Sequence, residues 1–320
     1  MIWLLILLAY DFSVFSSAGI YYDNNIFKFS AQETDEFRSG VYPWKFPVKS
    51  ADDLKAEFSS LFTFEHGLFK PGPTTFEMLL RSSSYLENKV KDYWRFRLVL
   101  KQNFRSTEVS LGYSLIPTYL IRYYKPVSGT SYIPCEFSRN LFTARIAFSS
   151  RFGRFSLDMS YWKDNYSKEF DYYDSNNEAV AIRWRKAFSS YIRPEVTYEL
   201  SNSEARGPVP DISYYQHSFD ISNSFRPGVR RISQISAKYS LDYRLYKSEV
   251  SPILDPLHSG RTELVHNLGA VARFRLYRGF YSEVSVLREF RAVSSKTYSD
   301  IGKLKNYSRW ILGMVFSFRI

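Results

Sequence analysis

The chain is poor in what would make it a helical membrane protein or a disulfide-stapled one. Its single cysteine, Cys135, has no second thiol to pair with, so no internal disulfide braces the fold. Long apolar runs are missing too. The one unbroken stretch is "MIWLLILLAY" at the start, shorter than the roughly 20 residues a spanning helix requires. A mean hydropathy of −0.30 with 23% charged residues fits no bundle of membrane helices. The 43 Lys and Arg against 32 Asp and Glu give a net charge of +11, yet the basic residues are scattered singly. There is no finger spacing, no helix-turn-helix candidate and no basic run, so nucleic acid is not an expected partner.

The opening stretch reads instead as a secretory leader. Ser16 and Ala18 stand at the −3 and −1 positions of a cleavage after Ala18, dividing the chain into a leader at 1–18 and a single domain at 19–320. No Lys or Arg precedes the run and Asp11 follows it closely; the alternative is a buried N-terminal strand or helix.

What the chain has in abundance is aromatic side chains, 26 Tyr, 27 Phe and 6 Trp. Tyr and Trp are the residues that settle at membrane interfaces. After residue 90, alternating segments recur, joined by short and long connections in turn. "DYWRFRLVLKQNF" (92–104) and "EVSLGYSLIPTYL" (108–120) form the first pair, and a long loop at 123–138 follows. Four more pairs come at 139–150 with 155–162, 178–188 with 191–200, 214–225 with 231–246, and 262–276 with 280–290; "SRWILGMVFSFRI" (308–320) ends the chain. Earlier strands fit at 53–64 and 74–86, and the first at "GIYYDNNIFKFS" (19–30), with a charge- and Pro-rich loop to about residue 50. The count is about fourteen, an even number as single-chain bacterial barrels have. Short turns all fall at one end, long loops at the other, and both termini at the short-turn end. A propeller repeats at a similar length but packs four short strands into it, and the strands of a soluble sandwich are shorter.

The two parities differ in chemistry. Trp94, Phe96, Leu98 and Leu100 alternate with Arg95, Arg97, Val99 and Lys101; Val180, Ile182 and Trp184 alternate with Arg183 and Arg185. A dry core could not hold charges two residues apart in mid-strand. No helices exist to cover the aromatic face. The expected fold is therefore all-β, a closed antiparallel up-and-down transmembrane β-barrel with its apolar face in lipid and its charged face lining a wet lumen.

The last strand puts Trp310, Leu312, Met314, Phe316, Phe318 and Ile320 on one parity. It resembles the terminal strand of bacterial outer-membrane β-barrels, which carries large apolar residues at alternate positions and an aromatic near the end. The resemblance implies that Phe316, Phe318 and Ile320 act as an insertion signal read by the barrel-assembly machinery, and that outer-membrane lipid surrounds the chain. The family usually ends on Phe itself, whereas here Arg319 and Ile320 follow Phe318. The resemblance transfers no activity.

For function, His66 in an expected turn and His258 in a loop suggest solvation, and His217 and His266 lie in strands. Ser218 and Asp220 adjoin His217 in sequence but not on its face, so no hydrolytic site is expected. Glu169, Asp171, Asp174 and Glu178 lack a calcium-loop pattern and read as a solvated loop. No metal or cofactor is expected. The inward parity carries basic and acidic side chains in near balance, which suits cross-strand ion pairs. Arg95/Arg97, Arg183/Arg185 and Arg273/Arg275 nevertheless form paired stripes, with Arg145 on the same parity, and guanidinium forks suit carboxylates and phosphates. The expectation is a porin-like channel or transporter for small polar or anionic solutes. The alternatives are a non-conducting scaffold or export barrel and, behind it, an outer-membrane enzyme.

Overall fold

The computed structural model describes residues 11–67, 72–127, 129–189, 191–207, 209–229 and 231–319. Residues 1–10 of the expected leader and Ile320 of the expected insertion signal lie outside them. Fourteen antiparallel strands close on themselves in chain order. They are β1 (Asp11–Asp23), β2 (Asp53–His66), β3 (Thr74–Tyr85), β4 (Tyr93–Phe104), β5 (Thr107–Tyr124), β6 (Ile133–Ser150) and β7 (Gly153–Tyr166). They continue as β8 (Ser175–Arg185), β9 (Ile192–Ala205), β10 (Tyr214–Phe225), β11 (Ile232–Tyr246), β12 (Arg261–Tyr277), β13 (Phe280–Ser295) and β14 (Tyr307–Arg319). Among the described residues no helix is long and apolar enough to cross a membrane; the strands do the crossing.

Period-two alternation sets the wall. Ile20, Phe58, Leu100, Leu111, Ile182 and Leu312 stand exposed on the outside, where lipid rather than water meets them. Aromatics mark both edges of this belt: Tyr22, Trp94, Tyr161, Tyr198 and Trp310 toward the loop end, and Phe104, Phe148, Phe188, Phe225 and Phe318 toward the turn end. The seam is the β1–β14 pairing, with Ser16 opposite Phe318 and Tyr21 opposite Gly313. Gly313 is required there, because a Cβ would sit 2.6 Å from the Tyr21 ring.

The first strand runs Asp11–Asp23, not 19–30. Its alternation begins within the stretch read as leader, so the expected cleavage after Ala18 falls in mid-strand. It ends where Asp23 Oδ1 accepts the Asn25 backbone N–H at 2.9 Å, and Asn25 then bonds both the N–H and the carbonyl of Phe29, each at 2.8 Å. These local bonds compete with a continuing ladder and turn the chain inward. The loop expected at 123–138 is also shorter, because β5 and β6 extend to Tyr124 and back from Ile133. There Tyr119 and Phe137 face each other across the pair, rings 5.6 Å apart.

The inward turn makes residues 24–52 a plug. Helix α1 (Ala31–Ser39) starts on a capping box in which Ser30 and Glu33 serve each other, and stops at Gly40 in the left-handed region, φ 66°. Ile26, Phe27, Phe29 and Phe46 bury themselves against Tyr85 of β3 and Leu120 of β5. Phe29 meets Phe46 edge-on, centroids 5.0 Å apart. A second helix, α2 (Ile301–Lys305), closes the same mouth from the β13–β14 connection and packs against α1. This barrel thus has an apolar core inside its loop-end mouth, while its wall is apolar outside.

Candidate functional site

The lumen has a foot at the turn end and a plugged mouth at the loop end. At the foot, Lys101, Glu108, Arg145, Arg154, Arg183 and Arg185 surround a cavity of about 270 Å³. Arg145 makes a fork with Asp158, its Nη2 reaching Oδ2 at 3.0 Å, and Arg183 Nη2 shares that Oδ2 at 3.2 Å. Arg154 Nη2 reaches Glu108 at 2.9 Å. Arg185 has no ion pair among the described residues, although it lies opposite both Arg154 and Glu195 in the register. Like charges directly opposite on a sheet destabilise it. A second cavity of about 290 Å³, lined by Ser17, Ser59, Glu77, Arg81 and Arg97, repeats the theme. Arg81 faces Arg95 across strands, Arg95 Nε donates to Ser114 Oγ at 3.0 Å, and Arg97 has no ion pair among the described residues. Arg273 pairs with Glu283 at 2.9 Å and Arg275 is exposed near the turn end. All seven arginines singled out in the sequence are on lumen-facing parities, in different neighbourhoods rather than one.

The mouth is held by buried charge. Arg122 grips the Glu33 carboxylate with both terminal nitrogens, Nη1 at 3.2 Å. Burial works against the Glu33 charge, but Arg122 and the Ser30 N–H outweigh it and hold the carboxyl below its usual range. Lys28 of the plug and Arg309 of β14 meet on Glu289, at 2.8 and 2.6 Å, and Arg309 also holds Asp23 at 2.8 Å. Lys91, in the β3–β4 connection, is almost wholly buried. Its Nζ donates to the carbonyls of Leu120 and Ile121 at 2.9 and 3.0 Å, between the rings of Phe27 and Tyr119. Burial, with Lys28 and Arg309 nearby, pulls this ammonium down to about 7. Sequence periodicity does not find these residues. The one local signal is the spacing Ser30-x-x-Glu33, a capping box.

The histidines correct two expectations. His66 ends strand β2 rather than lying in a turn. His258 is buried, with Nδ1 2.7 Å from Asp255, which also takes the Ser248 hydroxyl and the Asp211 N–H at 3.0 Å each. Asp255 thereby gathers three segments of chain and ties down the loop. His217 and His266 bond Tyr198 and Tyr239 on the outer wall, at 2.8 and 2.9 Å, away from the lumen. The acidic loop is spread out: Asp174 accepts the Tyr166 N–H at 2.7 Å and Glu178 the Asn202 amide at 3.1 Å.

No protein-family model and no curated protein matches the chain. Among solved structures, OmpTdeltaL8, a loop L8 deletion mutant of OmpT, an outer membrane protein of Vibrio cholerae, is 6% identical with a TM-score of 0.50, covering 97% of this chain and 98% of its own. A bacterial polysaccharide outer membrane secretin is 10% identical over 95% of this chain and 98% of that one, with a TM-score of 0.47. A BenF-like porin from Pseudomonas fluorescens Pf-5 is 9% identical over 98% and 99%, with a TM-score of 0.45. At such identities the likeness to the Vibrio protein is one of fold. With a closed wall, an apolar belt outside, aromatic edges and charges within, the chain is an integral β-barrel of the bacterial outer-membrane class.

Proposed function

We propose that this protein is a gated outer-membrane channel for small anionic solutes, closed at rest on its loop side by residues 24–52. The observation that carries the reading is Arg185, a cation without an ion pair among the described residues, set between Arg154 and Glu195 over a cavity that Lys101, Arg145 and Arg183 also line. An oxyanion entering there relieves repulsion that the wall's own carboxylates leave standing, and several guanidinium edges can grip it at once. Arg95, Arg97, Arg273 and Arg275 extend positive charge along the lumen, which raises local anion concentration. In this reading the loop end faces outward, as long loops do in such barrels. The terminal strand, with Phe316, Phe318 and Ile320, directs insertion through the assembly machinery.

The packed plug favours a second reading, a barrel that never conducts and serves as a scaffold. Planar-bilayer recordings of the refolded chain under a salt gradient separate the two. Openings with an anion-selective reversal potential, shifted toward cations in Arg183→Gln/Arg185→Gln, are expected. A folded barrel that stays silent at all voltages, even with Phe27 and Phe29 both changed to Ser to loosen the plug, would remove the channel.

A further inference from the structure

One corner of the mouth holds more positive charge than its function as a seal demands. Glu263 of β12, a fully buried carboxylate, is shared by three guanidiniums. Arg261 bonds Oε1, Arg291 Nη1 lies 3.7 Å from that oxygen, and Arg244 Nη1 lies 3.6 Å from Oε2. The Tyr246 hydroxyl adds a bond to Oε1 at 3.3 Å, so that oxygen is crowded, while Oε2 meets only Arg244. Lys305 of α2 is tied to the group through its backbone carbonyl, which takes two Arg291 N–H groups, and its ammonium lies 5.9 Å over the Tyr124 ring with no ion pair among the described residues. The neighbouring knot differs: there Lys28 and Arg309 meet Asp23 and Glu289, two charges on two.

The three arginines are also held flat. Arg244 lies 4.0 Å over Tyr214, Arg261 4.5 Å over Tyr246 and Arg291 4.6 Å over Tyr307. Stacking fixes each guanidinium plane, and part of each edge is already used: Arg244 Nε and Nη2 donate to Gln216 Oε1 at 3.0 and 2.8 Å, Arg291 Nε and Nη2 to the Lys305 carbonyl at 2.9 and 2.7 Å, and Arg261 Nη1 to the Leu257 carbonyl at 3.1 Å. Nη1 of Arg244 and of Arg291 makes only the long contact to Glu263. The Nε of Arg261, on a side chain 95% buried, has no hydrogen-bond partner among the described residues. The side chains of Arg244 and Arg291 keep 30% and 19% of their surface, so the cluster is reachable from the lumen.

We propose that Arg244, Arg261, Arg291 and Lys305 form a binding site, at the loop end of the lumen, for a small oxyanion carrying two or more negative charges. Three guanidiniums on one carboxylate, with Lys305 unpaired among the described residues, leave surplus charge that is costly in so enclosed a place, and an oxyanion offers lone pairs to the Arg261 Nε and the Lys305 ammonium. Consistent with the surplus, burial together with Arg122, Arg261 and Arg291 holds the Lys305 ammonium down at about 7. The inference deepens the channel reading by giving the anion a second station, but binding itself needs no conduction.

The test is equilibrium titration of the refolded full chain with inorganic phosphate and, separately, succinate, at constant ionic strength. Saturable binding of one or both is expected, and which one binds separates a tetrahedral from a carboxylate ligand. Lys305→Gln should weaken it at least tenfold. Lys303→Gln, which removes the same charge from the exposed side of α2, should leave it unchanged. Both substitutions lie outside the strands, and a heat-modifiable gel shift confirms that each variant folds. No saturable binding, or binding that survives Lys305→Gln or is lost only in Arg183→Gln/Arg185→Gln, would overturn the site. A silent barrel that still binds phosphate through Lys305 would remove the channel and keep the site.

Discussion

Glu33 and Arg122 lock helix α1 to the barrel wall: the carboxylate that caps the helix by accepting the Ser30 N–H at 3.1 Å is the one Arg122 grips. The same side chain therefore starts the helix and docks it.

Glu33→Gln removes the charge that balances a buried Arg122. Losing one partner of such a pair costs about 3 kcal/mol or more, roughly a hundredfold in the docking equilibrium. The expected outcome is faster proteolytic cutting within 24–52 and a higher open fraction in bilayers, with the barrel's own heat modifiability retained. Equal cutting rates in the variant and the native chain would show that the plug is held by its aromatic residues alone.

Plug docking should tighten as pH rises from about 7 toward 10. Lys91 sits at about 7 when covered and near 10.4 when solvated. Below the lower value it is charged in both states and the cost of burying it is fully present; between the two, the covered form sheds a proton that the released form keeps, so release becomes harder. The charged groups that bear on it are Lys28, Asp23, Arg122 and Arg309. Lys91→Met should remove much of the slope of release against pH, with Lys305, displaced in the same direction, supplying the remainder. An unchanged slope would refute Lys91 as its source.

Gly313→Ala should lower the barrel's thermal midpoint. The new methyl collides with Tyr21 across the seam and with Ser285 Oγ, both at 2.6 Å, an overpacking cost of about 1–3 kcal/mol. Tyr21→Ala in the same chain should recover most of the loss, measured by the temperature at which the folded gel band disappears.

The leader boundary can be read from stability. A chain beginning at Gly19 keeps only Gly19–Asp23 of the 13 residues of β1 and leaves Phe316 and Phe318 without partners across the seam. It should melt lower than a chain beginning at Asp11. N-terminal sequencing of the exported protein then tells which form the cell makes.

Phe316→Ser/Phe318→Ser should reduce the fraction that reaches the membrane folded. Both residues are exposed on the lipid side of β14, so little packing inside the barrel is lost. An assembly defect much larger than the change in thermal midpoint would mark them as a recognition signal.

The wall was legible because one rule governs it. Wherever lipid lies outside and water inside, alternation repeats strand after strand, and Arg95, Arg183 and Arg273 announce the inner face by their spacing alone. The mouth obeys no such rule. Phe27 and Phe29 stand two apart and suggest a strand, while Phe37 and Phe46 continue neither that period nor a helical stripe, since a plug is packed from all sides at once. Glu263 and Arg291 sit on the expected parity, but which cations converge on which carboxylate depends on register between strands. β1 escaped because its outward residues, Val14, Ser16 and Ala18, are small and look like a cleavage region.

The knot at Glu289 bears on how the barrel is made. Lys28 comes from the plug, Arg309 from the last strand and Glu289 from its neighbour, while Asp23, held by Arg309, ends the first. The plug hangs from β1, whose partner across the seam, β14, lies at the other end of the chain. Zipping β14 onto β1 completes the charge knot that holds the cork, so the cylinder and its stopper are finished together. A newly inserted barrel would never pass through a stage as an open hole, and the envelope would be spared a leak at each insertion.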